Sequence, residues 1–184
     1  GGADKKWKQG ALGVPTPLAD VELCDDDGNK VPPGVPGEFC VRPKAPHALF
    51  EGYFENPEAT KNSFRGEWFR TGDLATVDED GFYWIMGRSK DVIISGGENI
   101  YPAELENVLA DCPLIAEAAV VGVSDPKWGE AACACIVAKG PLNETAVLQL
   151  FQGRLAKFKH PRRVVFLDEL PKNAMGKVQK FDLK

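Results

Sequence analysis

Residues 68–106 read WFRTGDLATVDEDGFYWIMGRSKDVIISGGENIYPAELE, and glycine or an acidic cluster punctuates them every few positions. Such punctuation leaves room only for short elements. Thr71-Gly72-Asp73 reads as a turn where a strand from Trp68 ends. Asp78-Glu79-Asp80-Gly81 reads as a hairpin turn with a strand over 82–86 behind it, because Asp-Gly tolerates the positive φ of a tight turn. Beyond Asp91 the pattern changes. Val92-Ile93-Ile94 is a strand, Gly96-Gly97 a strand-to-helix turn, and Leu105, Val108 and Leu109 fall at helical spacing after Pro102.

The flanking sequence extends this division. Residues 10–44 read as β structure, with a hairpin signal at Asp25-Asp26-Asp27-Gly28-Asn29 and a short strand from Gly37 to Arg42. Asn56 is a helix N-cap with Pro57 at the first position, and that helix ends near Phe64. Downstream, 116–123 and 131–137 read as buried strands around a polar loop at 124–130. A helix follows Asn143, and a strand occupies 164–167. The predicted fold class is α+β: a small β-barrel-like subdomain in residues 1–89, then a compact mixed α/β domain in residues 90–184.

Composition narrows the function. The 184 residues are 43% hydrophobic and 27% charged, enough for a globular core in one domain or two small ones. A net charge of −5 argues against general nucleic-acid binding. No apolar run approaches the ~20 residues of a transmembrane segment, and no signal peptide opens the chain. The five cysteines form no CxxC; Cys133 and Cys135 share one strand face and read as core packing. A cytoplasmic location is expected. Nothing in the sequence sets an oligomeric state. The start Gly1-Gly2-Ala3, without Met, is expected to belong to a longer protein.

Several residues suit an anionic, polyhydroxylated ligand. The two carboxylate oxygens of Asp73 can accept from vicinal hydroxyls, although Asp after Thr-Gly is also a common turn cap. Gly96 and Gly97 permit close backbone approach where a Cβ would clash. Trp128 sits in the loop 125–130 as a ligand-facing ring or a core anchor. RLAKFKHPRR at 154–163 carries five Lys/Arg around Phe158 and His160 without an acid, either a solvated face or a nucleotide contact. Pro171 and Gly176 keep PKNAMGK out of regular structure and present Lys177 on a mobile loop. Gly176-Lys177 is not a P-loop, because Val178 follows.

In order and spacing, WFRTGDL, the acidic turn, the aromatic strand ending in Gly87-Arg88, SGGENIYPAELE and the terminal lysine motif resemble the adenylate-forming superfamily. The resemblance is to its acyl- and aryl-CoA ligase branch, which includes fatty acid and benzoate-type CoA ligases. It implies that Asp73 and Arg88 bind the nucleotide, ATP or AMP, and that Lys90 is a hinge between two half-reactions. Gly96, Gly97, Trp128, Phe158, His160 and Arg162 match positions that meet CoA, and Lys177 matches the catalytic lysine. Peptide-synthetase domains carry a more basic loop where this chain has Gly96-Gly97, which favours CoA as acceptor.

The resemblance covers about the C-terminal third of a full synthetase. Residues 1–89 would be the C-terminal β-subdomain of the large AMP-binding domain, and residues 90–184 the mobile domain. The Ser/Thr/Gly-rich phosphate loop and the motif whose Glu serves Mg²⁺ do not occur in the sequence, so no metal ligand is assigned here. The expected function is therefore that of a parent enzyme: a carboxylic acid, ATP and CoA give acyl-CoA, AMP and pyrophosphate through an acyl-adenylate. The acid is fatty or aryl, and the 184 residues alone are expected to be inactive. Two alternatives stand beside it: adenylation with transfer to a carrier protein, and a non-catalytic nucleotide- or CoA-binding module.

Overall fold

Antiparallel pairing organises the first half of the chain. In the computed structural model, which describes residues 7–184, β1 (Ala19–Cys24) and β2 (Gly37–Pro43) pair directly. Helix α1 (Pro57–Asn62) and the short β3 (Phe64–Arg65) lead into β4 (Trp68–Val77) and β5 (Tyr83–Arg88). The ten residues of β4 take β2 along one edge and share the other between β3 and β5, giving the half-barrel sheet order β1-β2-β4-β3 with β5 on β4. As the sequence foretold, Asn56 Oδ1 accepts the Ala59 N–H and Pro57 occupies the first turn of α1. The opening Gly1-Gly2-Ala3 lies outside the described residues.

The turn at 78–81 joins β4 to β5 as expected, and Asp78 holds it. Its carboxylate accepts from the Phe82 N–H at 2.9 Å, the Trp84 Nε1–H at 3.1 Å and Lys8 Nζ at 2.7 Å. The Lys8 ammonium, helped by the two N–H donors, holds this carboxyl well below the usual carboxylate range. A carboxylate depressed in the folded state contributes stability above its unfolded pKa and loses it as pH falls through the folded one. The thermal midpoint is therefore expected to drop as pH is lowered below about 4. Asp78→Asn is expected to flatten part of that slope, as read by melting curves across pH; an unchanged slope would remove Asp78 from the account.

The second half builds a different sheet. It comprises β6 (Ile93–Ser95), β7 (Glu98–Ile100), α2 (Pro102–Ala110), β8 (Ile115–Asp125), β9 (Gly129–Ala138), α3 (Glu144–Gln149) and β10 (Arg163–Phe166). Strand β9 pairs antiparallel with β8 along one edge; on the other it meets β6 at Gly129 and runs parallel to β10. Both faces are buried, which explains the near-continuous apolar runs. Ala132, Ala134 and Ile136 pack towards Leu105 of α2, Val147 of α3 and Phe151. Cys133 and Cys135 face the other way, against Leu170 and the C-terminal segment. All five cysteines are free, and Cys133 and Cys135 are buried in an apolar cluster, so the pair is core packing.

Three local expectations change. The polar loop at 124–130 shrinks to a tight turn because the Ser124–Glu130 and Asp125–Gly129 pairs continue the β8–β9 ladder. The helix after Asn143 is only six residues long, and Phe151 enters the core from the turns that follow it. Gly96-Gly97 does not lead into a helix: it closes a β6–β7 hairpin, and β7 intervenes before α2. Both glycines have positive φ, 60° and 87°, as the favoured two-residue hairpin turns demand.

By internal contacts the chain divides into two units, Gly1–Lys90 and Asp91–Lys184, and Lys90 lies in the one-turn 3-10 helix Ser89–Asp91. Among the described residues, no helix is long and apolar enough to cross a membrane.

Candidate nucleotide and CoA site residues

In the first unit, Thr71-Gly72-Asp73 does not end a strand. It is a bulge inside β4, for between the Cys40–Arg70 and Glu38–Leu74 pairs β2 advances two residues while β4 advances four. Gly72 supplies the positive φ, 73°, that such a detour needs. The detour is tied down. Thr71 Oγ1 donates to the Phe39 carbonyl at 2.7 Å and accepts the Asp73 N–H at 3.1 Å.

Across the β4–β5 ladder Asp73 stands opposite Arg88, and Arg88 Nη1 donates to Asp73 Oδ1 at 2.9 Å and to the Thr71 carbonyl at 3.3 Å. The two residues assigned to the nucleotide by resemblance are thus brought together. Their side chains remain 35% and 46% exposed, so the hydroxyls of a diol can donate to a carboxylate already oriented by a guanidinium.

In the second unit, the β6–β7 and β8–β9 turns lie side by side. The Gly96 N–H donates to the Trp128 carbonyl at 2.8 Å, and a Cβ on Gly96 would sit 2.6 Å from the Trp128 ring. A Cβ on Gly97 would meet nothing within 4 Å, so that position faces open space. Asp125 Oδ1 accepts the Lys127 and Trp128 N–H groups at 2.9 and 3.0 Å, fixing the turn that carries the ring. Two cations stack on that ring: Arg162 at 4.7 Å and Lys127 at 4.8 Å. Gly96, Trp128 and Arg162 therefore form one surface of aromatic face and positive charge, suited to a nucleotide or phosphate.

The rest of the basic segment behaves differently. Its acids are absent from the local sequence but arrive from α2 and its end: Lys159 Nζ reaches Glu104 at 2.6 Å, and Arg154 pairs with Asp111. Phe158 is exposed on a short 3-10 turn. His160 is turned to its own loop, with Nε2 at 3.0 Å from the Leu155 carbonyl and its ring 5.9 Å from Phe151. Its Nε2 must donate there, which gives it an evident structural task.

The lysine loop is more ordered than its Pro and Gly foretold. A Lys172–Val178 bridge closes it, and Asn173 Oδ1 accepts the N–H groups of Met175 and Lys177 at 3.0 and 2.9 Å. Lys172 reaches Glu117 and Lys180 reaches Glu106, each at 2.6 Å, so both feet are clamped to the β8 and α2 layer while Lys177 stays exposed. Sequence reasoning missed Glu106, whose only signal was an acid at helical spacing; it also accepts the Val120 N–H at 2.8 Å. Among the described residues, no group of three or more His, Cys, Asp or Glu is placed to hold a metal ion.

The chain is 46% identical to an indoleacetate–CoA ligase of Aromatoleum aromaticum over 99% of its own length and 36% of the relative's. It is 43% identical to a 2-succinylbenzoate–CoA ligase of Bacillus cereus over 96% of its length and 36% of that protein's. The o-succinylbenzoate CoA synthetase of Bacillus subtilis, solved in complex with its acyl-adenylate intermediate, superposes with a TM-score of 0.89 at 38% identity, covering 96% of this chain and 36% of that one. The chain thus spans little more than a third of the relatives it matches. Residues 104–177 match the family described as AMP-binding enzyme C-terminal domain.

Proposed function

We propose that this chain is part of an ATP-dependent carboxylic acid–CoA ligase. The 46% identity with an indoleacetate–CoA ligase along 99% of the chain carries the reading. In the first half-reaction the acid's carboxylate attacks the α-phosphorus of ATP and pyrophosphate leaves. Asp73 holds the ribose hydroxyls, Arg88 braces Asp73 and meets the nucleotide, and Lys177 stabilises the negative charge that builds during attack. In the second, the thiol of CoA attacks the acyl carbon and AMP leaves.

Gly97 gives the thiol arm a close passage, while Gly96, Trp128 and Arg162 hold the nucleotide end of CoA with Phe158 and His160 nearby in the same segment. Lys90 is the hinge about which residues 91–184 turn between the steps, since a hinge needs only a few backbone dihedrals free to change. Mg²⁺ and the acyl pocket belong to the parent protein outside these residues. The relatives' names favour acids that carry an aromatic ring, and five free thiols suit the cytoplasm.

The test is loss of CoA thiol with ATP, Mg²⁺ and a panel of aryl and aliphatic acids, run on the full-length protein beside the 184-residue chain. Thiol consumption by the full-length protein alone is expected. Pyrophosphate exchange without thiol loss would make CoA the wrong acceptor, and neither activity would leave a binding module.

A further inference from the structure

The bulge that carries Asp73 has an anchor outside every motif. Glu38 of β2 lies two residues from Cys40 at the site where the β2–β4 register jumps. Its Oε2 accepts from Arg70 Nε at 2.7 Å and lies 2.6 Å from Arg70 Nη2, while its Oε1 accepts the Gly72 N–H at 3.1 Å. The side chain is only 12% exposed. A carboxylate so covered costs free energy unless its oxygens are paired, and here they are spent on the residue before the bulge and on its central amide.

Thr71 supplies a second hold on the same strand, through Oγ1 to the Phe39 carbonyl at 2.7 Å. We propose that Glu38 is the positioning residue of the nucleotide site: by gripping Arg70 and the Gly72 amide it fixes the bulge, and so sets the direction in which Asp73 presents its carboxylate to a ribose diol.

The physical reason is the softness of a bulge. Three residues of β4 stand opposite one of β2, so the β2–β4 ladder does not define their path, and on the other edge β5 pairs only with Asp73 of the three. A site must hold its groups within about half an ångström of the productive geometry, which side chains from a neighbouring strand do best. Glu38 touches no substrate in this scheme and acts through Asp73. The inference rests on the reading of Asp73 as the ribose-binding group.

The experiment is calorimetric titration of the full-length protein with AMP and with 2′,3′-dideoxy-AMP, read as the ratio of the two Kd values. Wild type is expected to favour AMP by about tenfold or more, the worth of one charge-assisted hydrogen bond. Asp73→Ala is expected to bring the ratio close to one. Glu38→Ala is expected to do the same, although it touches neither hydroxyl.

A purely structural loss would weaken both nucleotides alike and keep the ratio, and that result overturns the proposal. Should Glu38→Ala fail to fold, Glu38→Gln decides. Its amide oxygen can accept from Arg70 or from the Gly72 N–H but not both, and the NH₂ meets a donor at the other, so a ratio lowered about threefold is expected and the wild-type ratio overturns the proposal. An Asp73→Ala variant that keeps the wild-type ratio would sink the ribose reading itself, and the Glu38 role with it. Loss of the ratio in Asp73→Ala but not in the folded Glu38 variants would sink the Glu38 role alone.

Discussion

Lys177→Ala is expected to lower acyl-adenylate formation by about a hundredfold to a thousandfold, the usual cost of removing a preorganised charge from a developing oxyanion. Thioester formation from premade acyl-adenylate should fall far less. The asymmetry follows from where the lysine sits. Its loop is closed by the Lys172–Val178 bridge and clamped by Glu117 and Glu106, on the segment that covers the Cys133–Cys135 face of the second sheet. The glycine hairpin belongs instead to the turns beside Trp128. The check is pyrophosphate exchange beside a single-turnover thiol assay on the full-length protein. Equal losses in the two half-reactions would count against separate roles. Because Lys177 is exposed and its Nζ lies outside the hydrogen bonds that close the loop, the variant should melt like the wild type.

Gly96→Ala is expected to give the mirror image: thioester formation down by about a hundredfold, with adenylation nearly unchanged. Gly96 has φ 60°, where an alanine is strained, and its new Cβ would lie 2.6 Å from the Trp128 ring edge. Something must shift by about an ångström, and a displacement of that size is enough to cost two orders of magnitude when it misplaces a reacting group. Trp128 would carry Arg162 with it, since the guanidinium stacks on the ring at 4.7 Å. The signature to look for is a raised KM for CoA with an unaltered KM for ATP. A variant in which both substrates weaken equally would mark a general loss of structure.

Much of this was legible because it is local. Asn56 and Asn143 each cap the amide three residues on, Pro57 and Pro102 open helices, and the acidic turn at Asp78 joins two strands. The resemblance marked Asp73, Arg88, Gly97 and Lys177 as candidates, although it said nothing of their geometry. Thr71-Gly72-Asp73 looked like a turn because Gly and Asp are turn formers. Whether such a triplet ends a strand or bulges within it depends on the register of the partner strand, more than thirty residues away in sequence by the Gly72–Glu38 separation of 34. Likewise the basic run at 154–163 looked free of acids until folding brought Glu104 and Asp111 to it.

By itself, then, the sequence determined the two kinds of architecture, the helix starts at Pro57 and Pro102 and the acidic turn at 78–81, and its residues 104–177 match the model of a known family. The architecture and the turns follow from backbone preferences and apolar periodicity, which act over a few residues. Only the tertiary structure decided which groups share a site: the Glu38 grip on the bulge, the Asp73–Arg88 pair, and the Gly96–Trp128–Arg162 surface. Those contacts depend on strand pairing and turn-on-turn packing between residues far apart in the chain, and no local preference encodes them.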